Sequence, residues 1–298
     1  MIRSIHSFAV VALMFATGTA FAQKAADDLS LLPADSELVA GLDFQQAQTS
    51  LLWKQLVVPQ LMKGDAKANL TKFQQTCGVD PMKIVTTVAI GLKGIGNAHP
   101  DGVIVAHGVP KAKLLACFDK LTKDKKQSAD IKRDGDILLI AKQNDQPVAF
   151  AFVDDSTAII VVGAPATGDG VRAILKGTSA LKTSTKFVEF YKRTNTKDTL
   201  WMIMNGNSKA FDDLRKQKIS PVVLFGSLKV GKDATLDMRV KFKTADEAKN
   251  IATMGQGQIK DAAKMFDKIS IDADGSEVKV GVNISDAKLK DLLKQLKM

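Results

Sequence analysis

The chain has 298 residues, of which 45% are hydrophobic and 25% charged, and it carries a formal net charge of +10. This composition matches an ordinary folded protein. Only six of its 42 basic residues are arginine and only 6% of its residues are aromatic. Because recognition of phosphates and bases favours arginine forks and stacked rings, nucleic acid is not an expected partner.

The first 22 residues have the layout of a secretory signal peptide. Arg3 lies near the start, an apolar run covers residues 8–16, and the small-x-small end Ala20-Phe21-Ala22 predicts cleavage before Gln23. An N-terminal membrane anchor is the alternative, but a span needs about 20 apolar residues. We therefore expect a periplasmic or secreted chain with a short tail at 23–29 and no transmembrane segment after cleavage.

Hydrophobic periodicity predicts an α+β protein with an antiparallel sheet. Apolar and polar residues alternate strictly over 235–243 and again over 277–285, which indicates strands with one buried and one solvated face. The predicted elements of the first part are strand 38–44, a helical region from Thr49, strands 84–92 and 102–108, helix 111–121, strands 137–142 and 149–162 with a turn at 154–156, and helix 171–175. Those of the second part are strand 200–204, helix 208–216, strands 222–230 and 236–242, a helix capped by Thr244, a hairpin over 269–284 and a helix from Leu289.

The element order β-α-β-β-α-β-β-α occurs twice in this series. We therefore predict tandem antiparallel-sheet halves over 30–178 and 179–298, with helices packed on one face and room for one shared core. The alternative is one mixed domain without an internal repeat.

The two cysteines, Cys77 and Cys117, both follow the predicted cleavage site and would enter an oxidising compartment. An even number of cysteines there favours a disulfide. The alternative is a pair of buried free thiols, because Cys117 lies on the apolar side of its predicted helix. A CxxC redox motif is absent.

No motif predicts a catalytic, metal or cofactor site. After cleavage only His99 and His107 remain as imidazole bases, the first in a turn and the second at a strand end near Cys117. These two histidines, taken with Cys77 and Cys117, lack the paired spacing of zinc ligands. The 163–170 string has P-loop glycine spacing, but Asp169 stands where a lysine would contact phosphate. We therefore do not predict an enzyme.

Three strings carry a resemblance when taken together. The first string is Leu31-Leu-Pro-Ala-Asp-Ser36, which precedes a strand and then Leu52-Trp53. The second is Cys77-Gly-Val-Asp-Pro81, which precedes a Val/Ile-rich strand. The third is Asp101-Gly-Val-Ile-Val-Ala106, which leads to the helix with Cys117. The region 30–120 thereby resembles uncharacterised secreted or periplasmic proteins of myxobacterial type. The resemblance implies export and favours the Cys77–Cys117 pairing, but it implies no activity and no functional residues.

The sequence thus predicts an exported, non-catalytic binding or structural protein of the cell envelope. Its positive charge would attract an anionic envelope component. The alternative is a periplasmic carrier or sensor for a lipid or other apolar ligand. A third candidate, an envelope hydrolase, is disfavoured by the scarcity of histidine. The residues predicted to line an apolar pocket, for which ordinary core packing is the simpler interpretation, are Trp201, Met202, Met204, Phe225 and Phe242.

Overall fold

The structure is a computed structural model that describes residues 28–97, 99–123, 130–141, 146–178 and 180–295. The predicted signal peptide, its cleavage site between Ala22 and Gln23 and the tail up to residue 27 lie outside the described residues. Across the described ranges, no helix combines the length and the apolar character that crossing a bilayer requires.

Twelve strands in the described part of the chain form one antiparallel sheet that does not close on itself. Its strand order is β11-β12-β10-β9-β8-β1-β2-β3-β7-β6-β5-β4. The predicted α+β class with an antiparallel sheet is confirmed. The strands are β1 (Leu38–Asp43), β2 (Thr87–Lys93), β3 (Asp101–His107), β4 (Asp130–Asp134), β5 (Ile137–Ala141), β6 (Val148–Phe152), β7 (Thr157–Val162), β8 (Leu200–Asn205), β9 (Val223–Val230), β10 (Ala234–Lys241), β11 (Lys268–Asp274) and β12 (Glu277–Ile284).

Ten α-helices connect these strands within the described residues. A π-helical turn, Trp53–Val57, and three short 3₁₀ turns accompany them. The helices are α1 (Phe44–Thr49), α2 (Val58–Leu61), α3 (Gly64–Cys77), α4 (Pro81–Ile84), α5 (Lys111–Lys123), α6 (Gly168–Leu175), α7 (Thr185–Arg193), α8 (Asp212–Lys216), α9 (Ala245–Ala262) and α10 (Asp286–Gln295).

Local chemistry fixes where several of these helices begin. The Thr244 hydroxyl accepts a hydrogen bond from the Glu247 amide at 3.2 Å, which caps α9 as the sequence predicts. The Thr167 hydroxyl caps α6 in the same way through the Gly170 amide at 3.0 Å. The 163–170 string is therefore the entry turn of a helix.

The middle of the sheet joins both parts of the chain. β1 pairs with β8, with Leu38 opposite Met204 and Leu42 opposite Leu200. The largest buried cluster takes side chains from both parts, including Val103 and Trp201. The predicted halves thus share a core, while the division between residues 178 and 179 stays a prediction.

Helices cover both faces of the sheet, whereas the sequence led us to expect one. On β3, Val103 and Val105 belong to the largest cluster, but the next residue, Ala106, belongs to a second cluster. We call the face that carries Val103 the core face and the opposite one the second face. The core face packs against α6 and α7, and the second face packs against α3, α5 and α9. The reason is that β3 and β7 are apolar at consecutive positions, so both of their faces need cover.

Three elements differ from the predicted ones. β4 has the polar sequence DIKRD, which carries no apolar alternation and was therefore not predicted. The amphipathic helix α7, which buries Phe187 and Phe190, was also not predicted. Helix α4 replaces the start of the predicted strand 84–92, because Asp80 caps it and Pro81 is its first residue.

The predicted disulfide is present in the structure. Cys77 ends α3, Cys117 lies in α5, and their Cα atoms are 4.6 Å apart. Both side chains are buried in the second cluster. The bond therefore ties the two helices that cover one end of the second face.

Candidate functional site

The second face is apolar along the whole centre of the sheet. Strands β2, β1, β8, β9 and β10 each place three apolar residues there, which lie opposite one another in register. Directly opposed residues of antiparallel strands share a face. We call this surface the central apolar face, and its three rows are Leu236, Leu228, Leu200, Leu42, Val88; Met238, Gly226, Met202, Ala40, Ile90; and Val240, Leu224, Met204, Leu38, Leu92.

Most of this surface lies outside the packed core. Apart from Gly226, every member is only half-buried. Among the described residues, only Val240 of this set packs against one of the three buried clusters. The alternating side chains of the same strands, such as Val39 and Phe225, are buried on the core face. The central strands are therefore packed in a buried cluster on one side, and among the described residues their other side is only partly covered.

The two ends of the second face are covered, which leaves the centre as a gap between helices. Helices α3 and α5 belong to the cluster that includes Ala106, Ala158 and Phe150 on β3, β7 and β6. Helix α9 packs against Val278 and Ile271 of β12 and β11 at the other end. The central apolar face is thus a strip between two groups of helices.

Elsewhere the sheet follows the usual rule that a solvent-facing side is polar. The core-face side of β10 presents Thr235, Asp237 and Arg239, and the same side of β12 presents Lys279 and Asn283. A strand face in water normally alternates in this way. The partly covered central strip departs from this rule, because its side chains are apolar.

A separate cleft of about 430 Å³ opens on the core face. Its wall contains small residues from α6 and from the strand ends, including Gly91, Gly102 and Ala173. Lys93 at this cleft forms an ion pair with Asp35 at 2.5 Å, and this contact raises the pKa of Lys93. Asp101, the other acidic residue of the cleft, accepts a hydrogen bond from the Ala164 amide at 2.8 Å. The rest of the wall is mostly apolar.

His107 is the centre of a buried polar cluster. Its Nε2 lies 2.8 Å from the Asp28 carboxylate and its Nδ1 lies 3.1 Å from the Thr157 hydroxyl. All three residues are buried. The order acid, imidazole and hydroxyl resembles a hydrolase relay, but a reacting hydroxyl must be open to substrate. The cluster instead ties Asp28, at the start of the described chain, to the sheet.

The residues that the sequence placed in one apolar pocket lie in three different places. Trp201 and Phe225 are fully buried in the core face, so the core interpretation holds for them. Met202 and Met204 lie on the central apolar face. Phe242 packs under α9 in the third cluster. The set does not line one pocket, because neighbouring residues of a strand point to opposite faces.

The central apolar face was missed as a whole by sequence reasoning, although one signal for it exists. Residues 200–204 are Leu-Trp-Met-Ile-Met, so neither the even nor the odd positions of this strand include a polar residue. Such a run indicates that both faces of β8 are apolar, whereas the strands used to predict the fold alternate. His99, the second candidate base, is exposed in the loop between β2 and β3. Among the described residues, no group of three or more histidine, cysteine or acidic side chains is placed to hold a metal ion.

Comparisons with known proteins give no match: no protein-family model, no curated protein and no solved structure resembles this chain. The resemblance to myxobacterial secreted proteins stays a prediction.

Proposed function

We propose that this protein is an exported, non-catalytic carrier that holds a ligand with a long hydrocarbon chain on its central apolar face. The three uninterrupted apolar rows across five strands are the observation on which this proposal depends. The signal-peptide layout of the first 22 residues and the Cys77–Cys117 disulfide support export to the periplasm or beyond.

The free energy of apolar burial favours a central apolar face that is covered by a partner. Contiguous apolar patches larger than a few hundred Å² are rare on monomers and mark interaction sites. Each Å² of apolar surface left in water forgoes about 25 cal/mol. A natural sequence would readily have placed threonine or lysine on this side, as β10 does on its other side. Retaining leucine and methionine there indicates a bound apolar partner.

The dimensions and chemistry suit an acyl chain. Five strands spaced about 4.8 Å apart make a strip about 19 Å wide, and one leaflet of a bilayer holds about 15 Å of hydrocarbon. The strip has no charged side chain. Met202, Met204 and Met238 are flexible and polarisable, and such side chains adapt to a chain of variable shape.

The test combines extraction with a binding assay. Organic extracts of the protein purified from its own compartment, measured by mass spectrometry, should contain lipid, and a fluorescent fatty acid should bind. Met202→Gln should weaken that binding about tenfold, because a polar amide replaces part of a methionine contact worth about 1.5–3 kcal/mol. Met254→Gln, on the exposed side of α9 where the side chain is 56% exposed, is the matched control and should change nothing.

A clean extract together with no probe binding would contradict the carrier. The remaining candidate, a structural or binding module whose strip is covered by a second copy of the chain, has its own signature. It predicts a dimer in sedimentation that dissociates in Met202→Gln but not in Met254→Gln.

A further inference from the structure

The connection between β1 and α3 is an apolar segment that buries none of its large side chains. Residues 51–62 comprise the π-helical turn Trp53–Val57, the short helix Val58–Leu61 and their flanks, and neither helical stretch has a buried residue. Leu56 is 39% exposed and Met62 is 52% exposed. The large apolar side chains of this 51–62 segment are Leu51, Leu52, Trp53, Leu56, Val57, Val58, Leu61 and Met62.

Exposed lysines accompany this segment. Lys54, Lys63, Lys67 and Lys72 are all exposed, and Asp65 is the only acidic residue over 44–77. Between residues that the structure describes, no ion pair involves any of these four lysines. This stretch of the chain therefore combines exposed apolar side chains with exposed positive charges.

This combination is the one that binds the interface of an anionic membrane. Interfacial helices place leucine and tryptophan at the acyl boundary and lysine at the headgroups. We propose that the 51–62 segment, with Lys54, Lys63, Lys67 and Lys72, docks the protein on an anionic lipid bilayer. The charge complementarity of four lysines against one acid selects an anionic partner, and the exposed leucine and methionine select one with an apolar layer beneath its charge.

The docking proposal is independent of the carrier function, because it depends on different residues. If both hold, docking would bring the central apolar face to the membrane that supplies or receives its ligand. A pure charge effect would not require Leu56 and Met62, and a pure apolar effect would not require the lysines. The two contributions are therefore separable by substitution.

The intrinsic fluorescence of Trp53 can report vesicle binding. The chain has two tryptophans, and Trp201 is fully buried whereas Trp53 lies in the docking segment, where its ring packs edge-on to Phe44 at 5.1 Å. The protein starting at Gln23 is mixed with vesicles of phosphatidylglycerol and phosphatidylcholine, and with vesicles of phosphatidylcholine alone. We expect co-sedimentation and a blue shift of fluorescence with the anionic vesicles only, weakened by 0.5 M salt and with the shift absent in Trp53→Phe.

Substitutions then locate the surface. Lys63→Gln and Lys67→Gln should each lower vesicle affinity about fivefold, and Leu56→Ser with Met62→Ser should abolish the blue shift. Matched controls lie on α9 and the turn after it: Lys249→Gln with Lys260→Gln, and Met254→Ser with Met265→Ser, where the methionines are 56% and 42% exposed. These control variants should bind like the parent.

Three results would overturn the proposal. They are equal binding to neutral vesicles, equal loss in the α9 controls, and retained binding in the Leu56→Ser, Met62→Ser variant. The Met202→Gln variant separates the docking proposal from the carrier proposal, because this substitution should weaken fatty-acid binding and leave vesicle binding unchanged. If Met202→Gln abolishes vesicle binding instead, the central apolar face is the docking surface and the 51–62 segment is not. Leu56, Met62, Lys63 and Lys67 are exposed and Trp53 is half-buried, and circular dichroism should show that each variant is folded.

Discussion

The ion pair between Arg193 and Glu277 gives the sharpest stability prediction. Arg193 ends α7 on the core face, and its two terminal nitrogens donate to the two carboxylate oxygens of Glu277 at 2.7 and 2.6 Å. Glu277 begins β12 and its side chain is only 10% exposed. The guanidinium also lies 4.9 Å from the centre of the Phe225 ring. The pair therefore fixes α7 to a distant strand of the same sheet.

The expected effect of Glu277→Gln follows from this geometry. Hydrogen bonds to charged groups contribute about 1.5–3 kcal/mol, and removing one partner of a fully buried pair costs about 3–5 kcal/mol. Arg193 is 35% exposed, so water replaces part of its lost bonding. We expect the free energy of unfolding to fall by about 2 kcal/mol at pH 7.

Urea denaturation measured over a range of pH tests both the size of this loss in unfolding free energy and the direction of its pH dependence. The Arg193 hydrogen bonds lower the pKa of Glu277 below its ordinary value. A lowered carboxyl pKa stabilises the fold above about pH 4.3, and that stability is lost as the pH falls through the folded-state pKa. The gap between parent and variant should therefore stay constant from pH 7 to about pH 5 and close at lower pH.

A gap below about 0.5 kcal/mol at pH 7, the range of an exposed pair, or a gap that persists undiminished at pH 3 would contradict this prediction. Asp274→Asn is the control, because Asp274 pairs with Lys279 on the nearby β11–β12 hairpin but both side chains are well exposed. Its stability should equal that of the parent within the error of the measurement.

Two further predictions concern the core. The disulfide closes a loop over a sequence separation of 40, so replacing Cys77 and Cys117 by alanine should lower the free energy of unfolding by about 4 kcal/mol in the chain-entropy model. Urea denaturation of the variant against the oxidised parent measures this, and a loss below about 1 kcal/mol would contradict it. Gly41→Ala would place a Cβ 2.2 Å from Nε1 of the fully buried Trp201, which should cost about 1–3 kcal/mol in thermal or urea unfolding. Gly257→Ala, on α9 where a new Cβ would meet open space, should instead stabilise by about 0.5–1 kcal/mol; similar effects at both glycines would refute the packing argument.

Much of the fold was predictable because its signals are local. The alternation over 236–242 and the cap at Thr244 depend on neighbouring residues, and both correspond to β10 and the start of α9. The turn at 154–156 likewise separates β6 from β7, with the Asp154 carboxylate accepting from the Ser156 amide at 2.7 Å. The polar strand β4 had no such signal, because its place at the sheet edge depends on pairing with β5 and not on its own pattern.

The candidate site was less accessible to sequence reasoning. The sequence predicts one apolar pocket that groups Met202 and Met204 with Trp201 and Phe225, but Trp201 and Phe225 lie on the other side of the sheet. The pairing of His107 with Asp28 joins residues 79 positions apart. A sequence distance of that size leaves no periodic trace, so only the folded chain reveals the contact.

The sequence by itself determined the α+β class, the alternating strands, the helix caps and the number of cysteines available for pairing. Only the tertiary structure decided that β1 and β8 meet at the centre of one sheet, that helices cover both faces, and that a half-buried strip of apolar rows lies between the helices of the second face. The physical reason is that alternation tells which residues share a face of a strand, but not what covers that face. Which helices cover a face depends on how distant parts of the chain pack, and here the described helices pack over the ends of the second face and leave its centre only partly covered.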